Sequence, residues 1–181
     1  MPGDVIMIFD GKWKNELKRL SWEISFWRKI TILNDLAEHR LNRAILYSAA
    51  ILRKIIEDEK EAEAKTEAIA KEIKISPPKL ITIHSSLEAI KYPYTGEEGW
   101  AIRGKLCALD YGKGHTVCVK AKDVCNWILH SYVWGVACNE DRKTFTGFLV
   151  ASDFDKEKFV HFMPFDEWSK LIQLVINEKT F

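Results

Sequence analysis

The sequence predicts an α+β fold, with two long N-terminal helices before a small antiparallel sheet that contains an embedded helix and ends in a C-terminal helix. The distribution of helix-breaking residues carries this prediction. No glycine occurs in residues 12–95, whereas seven of the nine glycines lie in residues 96–147. Proline is absent from residues 3–76. A long stretch without breakers favours helix, and a stretch rich in them favours strands and turns.

The first half contains two predicted helices. The first spans residues 14–33, and the second starts after Asn34-Asp35, which can cap it. The second continues toward Lys74 as a solvated extension. Apolar residues recur in each at steps of three and four, which places them on one helix face. They are Trp13, Leu17, Leu20, Ile24, Trp27 and Ile30 in the first helix, and Leu41, Ile45, Ala49, Leu52 and Ile56 in the second.

The second half is predicted to hold strands and two helices. Residues 101–110 and 115–120 form a hairpin around Gly112-Lys113, a register that places Cys107 opposite Cys118. A helix covers residues 121–133, strands 134–138 and 144–151 pair, and a further strand covers 158–163. The final helix starts near Pro164, because proline suits a first turn. Its apolar residues are Phe165, Trp168, Leu171, Ile172 and Val175.

Length and composition indicate one globular domain. The chain has 181 residues, of which 47% are hydrophobic and 29% charged, values that exclude a disordered chain. We expect a single domain over residues 1–181, with a helical half at 1–76 and an α+β half at 80–181. The 27 Lys and Arg nearly cancel the 26 Asp and Glu, so no global basic field exists to drive non-specific binding to nucleic acid.

Targeting, metal and cofactor signals are missing from the sequence. The N-terminus has no secretory signal pattern, and no apolar stretch approaches the length of a membrane span. We therefore expect a cytoplasmic protein with reduced thiols, whose cysteines are small core residues. His115 and Cys118 would point to opposite faces of a strand, and no phosphate-binding or dinucleotide motif occurs. We expect no metal and no cofactor.

A more specific pattern occurs in residues 125–132, CNWILHSY. Asn126 and His130 are four residues apart and would share a helix face. Together with Tyr132 they give N-x-x-x-H-x-Y, which resembles the R-N-x-x-x-H-x-Y signature of the HEPN superfamily of toxin and defence ribonucleases. The resemblance implies metal-independent cleavage of RNA, with His130 in acid–base transfer at the 2′-hydroxyl and two subunits sharing a cleft. It departs from the family at Cys125, which replaces the arginine that holds the scissile phosphate.

Two interpretations of this motif remain open. In one, the second predicted helix packs beside the motif and supplies Arg40 or Arg43 in place of the missing arginine. In the other, His130 is a partly buried structural residue with Tyr132 and Trp134 in the core. Arg40 and Arg43 are then the solvated flank of an amphipathic helix.

Residues 12–29 interleave basic and aromatic side chains. Six Lys or Arg accompany two Glu, together with Trp13, Trp22, Phe26 and Trp27. Such a mixture suits an RNA or a membrane surface. The alternative is core packing of the tryptophans with lysines that extend to solvent, and the apolar periodicity favours that alternative.

These observations predict a non-catalytic interaction or regulatory module that binds a protein partner or forms a homodimer. Its binding surface is the Arg40 and Arg43 flank or the basic first helix, and RNA is a further partner class. The alternative function is a divergent HEPN-like, metal-independent ribonuclease of a toxin or antiphage system, with His130, Asn126 and Tyr132 as its catalytic residues. An arginine guanidinium close to His130 would favour the ribonuclease.

Overall fold

The computed structural model describes residues 11–30, 35–73, 84–94, 109–141, 143–155 and 158–177. Its elements follow in chain order. They are α1 (Gly11–Trp27), α2 (Asp35–Ile73), β1 (Ser86–Pro93), a 3-10 turn (Tyr111–Lys113), β2 (His115–Lys120), α3 (Ala121–Leu129), β3 (Ser131–Cys138), β4 (Phe145–Ser152), β5 (Phe159–Pro164) and α4 (Phe165–Asn177). The predicted α+β class, with two N-terminal helices, an antiparallel sheet and a C-terminal helix, is confirmed.

The five described strands form one sheet in the order β2-β1-β5-β4-β3, with every neighbouring pair antiparallel. Strand alternation gives the sheet two apolar faces. On one face, Phe148 and Val150 join a large cluster with residues from all four helices. On the other, Leu149 and Ala151 join a smaller cluster that contains Leu109. The helices therefore share one core with a single face of the sheet.

The N-terminal helices pack on each other and on α4. Leu17, Leu20 and Ile24 of α1 are fully buried, as their spacing predicts. The first part of α2 supplies buried apolar residues as far as Ile56. Beyond that point the helix carries exposed ion pairs such as Lys65 with Glu61 at 2.7 Å, typical of a solvated helix. The bounds of α2 agree with the predicted extension toward residue 74.

Three predicted elements differ from the structure. Helix α1 ends at Trp27, before the predicted end at residue 33. Helix α3 ends at Leu129, because the residues that follow form β3 and pair with β4. The predicted hairpin turn is a 3-10 turn.

The neighbours of this 3-10 turn differ from the predicted hairpin as well. Leu109, just before the turn, bridges Tyr94. Strand β2 pairs with β1, where Cys118 lies opposite Glu88. Cys107 lies outside the described residues, so the predicted pairing of Cys107 with Cys118 stays a prediction. Among the helices that the structure describes, none combines the length and the apolar character needed to cross a membrane.

Candidate functional site

The N-x-x-x-H-x-Y motif spans the junction between α3 and β3. Asn126 lies in the helix, His130 caps its C-terminal end and Tyr132 lies in the strand. The backbone N–H of His130 donates to the carbonyl of Asn126 at 2.9 Å, and its φ of −115° and ψ of 30° are no longer helical. Asn126 and His130 therefore do not share a helix face as predicted, because the helix ends at Leu129, one residue before His130.

Two of the three motif side chains, those of His130 and Tyr132, are accessible. His130 is exposed, and Tyr132 is 41% exposed. Trp134 is partly buried, and its indole N–H donates to Asn42 Oδ1 at 2.8 Å. The interpretation of His130 as a partly buried residue and Tyr132 as a core residue is therefore wrong, because the chain leaves the helix before either residue can turn inward.

An arginine outside the predicted site residues contacts the motif. Arg53 of α2 donates from Nε to Asn126 Oδ1 at 2.7 Å, and its Nη2 lies 2.7 Å from Glu57 Oε1. Its Nη1 is buried and has no hydrogen-bond partner among the described residues. Helix α2 does pack beside α3, as one interpretation required, but the arginine that reaches Asn126 is Arg53.

Arg40 and Arg43 have different surroundings. The guanidinium Nη2 of Arg43 lies 3.7 Å from Glu23 Oε2 of α1, and its Nε is buried without a hydrogen-bond partner in the described chain. Arg40 is half-buried. Arg43 thus belongs to the contact between α1 and α2, and the part of this flank that remains open to a ligand is smaller than predicted.

The three cysteines that the structure describes divide into two classes. Cys125 is fully buried, as predicted, and burial raises the pKa of its thiol to about 12. Because the thiolate is the nucleophilic form, we expect this thiol not to react at neutral pH in the folded protein. Cys118 and Cys138 are exposed, so the prediction that they are core residues is wrong. Both lie in outer strands of the sheet, where every second side chain faces away from the core.

Metal-ligating side chains do not converge within the described part of the chain. No group of three or more His, Cys, Asp or Glu residues there has the geometry to hold a metal ion.

The outer face of α1, which we define as Lys18, Trp22 and Phe26 together with Lys29 of the following turn, points away from the core. Trp22 is 63% exposed and Phe26 47%. Their rings stack, with centroids 5.2 Å apart and an angle of 15° between the planes. The prediction that the tryptophans of this helix pack in the core is wrong for Trp22, and for Trp13, which is 45% exposed.

Helical geometry explains this exposure. Trp22 lies two residues from both Leu20 and Ile24, which are fully buried, and residues two apart point to nearly opposite sides of a helix. The flanks of α1 are occupied, since Ser21 accepts a hydrogen bond from Gln173 of α4 at 3.1 Å. The outer face is therefore the side of α1 that no other described element covers. The helical spacing of Trp22 from Leu20 is enough to predict its exposure.

A surface cavity of about 380 Å³ lies between α2 and α3, beside the Arg53–Asn126 hydrogen bond. Its wall combines basic, acidic and apolar side chains. The lining residues are Arg53, Ile56, Glu57, Lys60, Glu61, Ala64 and Lys122.

Comparisons with family models, curated proteins and solved structures found no match to this chain. The resemblance of the 125–132 motif to the HEPN signature therefore stays a prediction.

Proposed function

We propose that this protein is a non-catalytic interaction module that binds single-stranded nucleic acid on the outer face of α1. The observation that carries the proposal is the exposed, stacked pair of Trp22 and Phe26. Lys18 precedes Trp22 by one helical turn, and Lys29 follows Phe26 by three residues. Both lysines are exposed, and neither has an ion pair with another described residue.

The side chains of this surface suit the bases and phosphates of single-stranded nucleic acid. A base can continue the Trp22–Phe26 stack, because aromatic side chains bind the π-face of any base. The flanking ammonium groups of Lys18 and Lys29 can pair with phosphates on either side. Phe26 also makes an edge contact with Trp27 at 5.1 Å, which holds the stack against the partly buried part of the helix.

A membrane surface fits this face less well. An interfacial helix buries a broad apolar face, but beside Trp22 lies the charged pair of Arg19 and Glu16, which are 45% and 38% exposed. Inserting the aromatic rings into lipid would also remove these charges from water, which costs free energy. A polar ligand that stacks on the aromatic rings leaves the charges of Arg19 and Glu16 in water.

Anisotropy of a labelled oligouridine tests the proposal. Stacking contributes about 1–3 kcal/mol per base, so Trp22→Ala should weaken binding by roughly 5- to 150-fold. Trp13→Ala is the matched control, because Trp13 is an exposed tryptophan of the same helix outside the stack. Lys18→Gln should reduce the slope of log Kd against log salt by about one.

Several outcomes would contradict the proposal. Equal losses in Trp22→Ala and Trp13→Ala would show that the stack has no special role. Binding to vesicles of anionic lipid without binding to the oligonucleotide would indicate a membrane surface instead. No binding to oligonucleotide by the wild type would end the proposal.

A metal-independent ribonuclease is the second candidate. The observation that favours it is the hydrogen bond from Arg53 to Asn126, which brings a guanidinium to the motif although position 125 is a cysteine. A guanidinium complements a phosphate in charge and donor geometry, and His130 is accessible for proton transfer. In this candidate function the guanidinium of Arg53 holds the scissile phosphate and His130 transfers the proton, which are the roles that the resemblance implies for an arginine and a histidine.

Cleavage of single-stranded RNA in EDTA tests this candidate. His130→Ala and Arg53→Ala should each abolish cleavage, while His115→Ala, an exposed histidine on β2, should retain it. Since His130 is exposed, its variant should unfold at nearly the same denaturant concentration as the wild type. An inactive wild-type protein, or full activity in His130→Ala, would leave the binding module as the only candidate.

A further inference from the structure

The geometry of the α2–α3 cavity points to a binding site for a small ligand that carries a phosphate group. This inference concerns a different surface from the outer face of α1 and does not depend on it. The cavity is bounded by three cationic side chains from two helices: Arg53 and Lys60 of α2 and Lys122 of α3. Its volume of about 380 Å³ falls within the range of small-molecule sites.

The acidic residues of the wall are already engaged. Glu57 pairs with Arg53 at 2.7 Å, and Glu61 pairs with Lys65, outside the wall, at the same distance. Lys60 and Lys122, by contrast, form no ion pair with any residue that the structure describes. The cavity therefore presents two ammonium groups that have no ion-pair partner among the described residues, and an anion in the cavity can pair with them.

The start of α3 adds to this positive potential. Lys122 is the second residue of the helix, and the N-cap residue, Lys120, makes no side-chain capping hydrogen bond. The first amide, that of Ala121, donates to Ser85 O at 3.0 Å. Free N–H groups and the helix dipole at such an end favour a negative group. Asp123, in the same turn, is exposed and does not line the cavity.

Arg53 is fixed at the other side of the cavity. Its Nε and Nη2 are held by Asn126 and Glu57, while its buried Nη1 has no partner among the described residues. A buried donor without an acceptor is unfavourable. The guanidinium adds its positive charge at this side of the cavity, and phosphate oxygens suit the planar donor set of arginine.

The apolar part of the wall limits the ligand. Ile56 and Ala64 line the cavity on the same face of α2 as the charged residues. They leave room for an uncharged portion of the ligand next to its phosphate. The inferred ligand is therefore small, bears a phosphate, and is either an inorganic phosphate species or a mononucleotide.

Calorimetric titration with pyrophosphate, AMP and adenosine tests the inference. We expect AMP or pyrophosphate to bind and adenosine to give no measurable heat. The double variant Lys60→Gln, Lys122→Gln should weaken binding at least tenfold. Lys54→Gln is the matched control, because Lys54 is an exposed lysine of α2 that pairs with Asp58 and does not line the cavity, and it should bind within twofold of the wild type.

The outcomes separate the ligand sources and the two surfaces. Tighter binding of AMP than of pyrophosphate identifies a nucleotide, and the reverse identifies an inorganic phosphate species; both support the site. Equal binding of AMP and adenosine, no binding of either phosphate compound, or unchanged affinity in the double variant would overturn it. Trp22→Ala should bind AMP or pyrophosphate as the wild type does. The titration therefore tests the α2–α3 cavity even if the outer face of α1 does not bind nucleic acid.

Discussion

The indole nitrogen of Trp168 donates a hydrogen bond to the hydroxyl of Ser48 at 3.1 Å, which ties the last helix to the middle of α2. Ser48 in turn donates to the carbonyl of Ile45 at 2.9 Å. Trp168 is fully buried, and its ring meets Phe148 of β4 edge to face at 5.9 Å. One side chain therefore joins α2, α4 and the sheet.

Trp168→Ala should lower the free energy of unfolding by about 3–5 kcal/mol, as large buried aromatic deletions do. Trp168→Phe keeps most of the apolar contact but loses the hydrogen bond to Ser48, so its cost should be smaller. Urea denaturation gives both values. Trp13→Ala, at an exposed position, should change stability little, and an equal loss there would contradict the central role of Trp168.

Cysteine labelling should follow burial. In the native protein, iodoacetamide should modify Cys118 and Cys138, which are exposed. Cys125 should react only after unfolding, because burial both excludes the reagent and raises the pKa of the thiol to about 12. Peptide mass spectrometry with and without urea reports each site. Rapid native labelling of Cys125 would show that α3 opens locally.

Local patterns predicted much of the fold. The five apolar residues assigned to the last helix are all buried in α4, because a single amphipathic period sets both the helix and its buried face. Strands β3 and β4 were also predicted as a pair, since a short connection between two apolar runs favours a hairpin. No range was assigned to β1, whose charged Glu88 and Lys91 interrupt the apolar pattern although the strand lies between β2 and β5.

The candidate site was harder to predict. Arg53 and Asn126 are 73 positions apart, so their contact depends on how α2 packs against α3, and no local pattern carries that information. The end of α3 at Leu129 has a similar cause, because pairing of β3 with β4 overrides the local tendency to continue the helix. The exposure of Trp22, in contrast, follows from its position between two buried residues of one helix.

Gly147 should not tolerate a side chain. A Cβ at this position of β4 would lie 2.3 Å from the carbonyl oxygen of Met163 and 2.6 Å from the ring of Phe162. Gly147→Ala should therefore destabilise the protein by about 1–3 kcal/mol, the usual cost of overpacking. Gly112→Ala is the control, since its nearest contact would be Asp110 Oδ1 at 3.4 Å. Equal midpoints in urea for both variants would show that β5 moves aside.

His161 of β5 should make stability depend on pH. The side chain is 4% exposed and stacks on Trp127 with ring centroids 3.9 Å apart. Burial lowers the pKa of the imidazole to about 4; Asp155 opposes this shift and Lys91 adds to it. The Nδ1 atom is buried and has no hydrogen-bond partner in the described residues, so protonation inside the fold is unfavourable.

The direction of the pH effect follows from these protonation states. Between pH 6.5 and 4 the unfolded chain binds a proton at His161 that the folded protein excludes, so stability falls as the pH decreases through this window. At about 1.4 kcal/mol per pKa unit, the loss from this group reaches about 3 kcal/mol near pH 4. Urea denaturation from pH 7 to 4 should show that His161→Gln loses less stability than the wild type, whereas His115→Gln, at an exposed site, follows the wild type. Parallel curves for the wild type and His161→Gln would mean that the imidazole titrates as freely in the fold as in the unfolded chain.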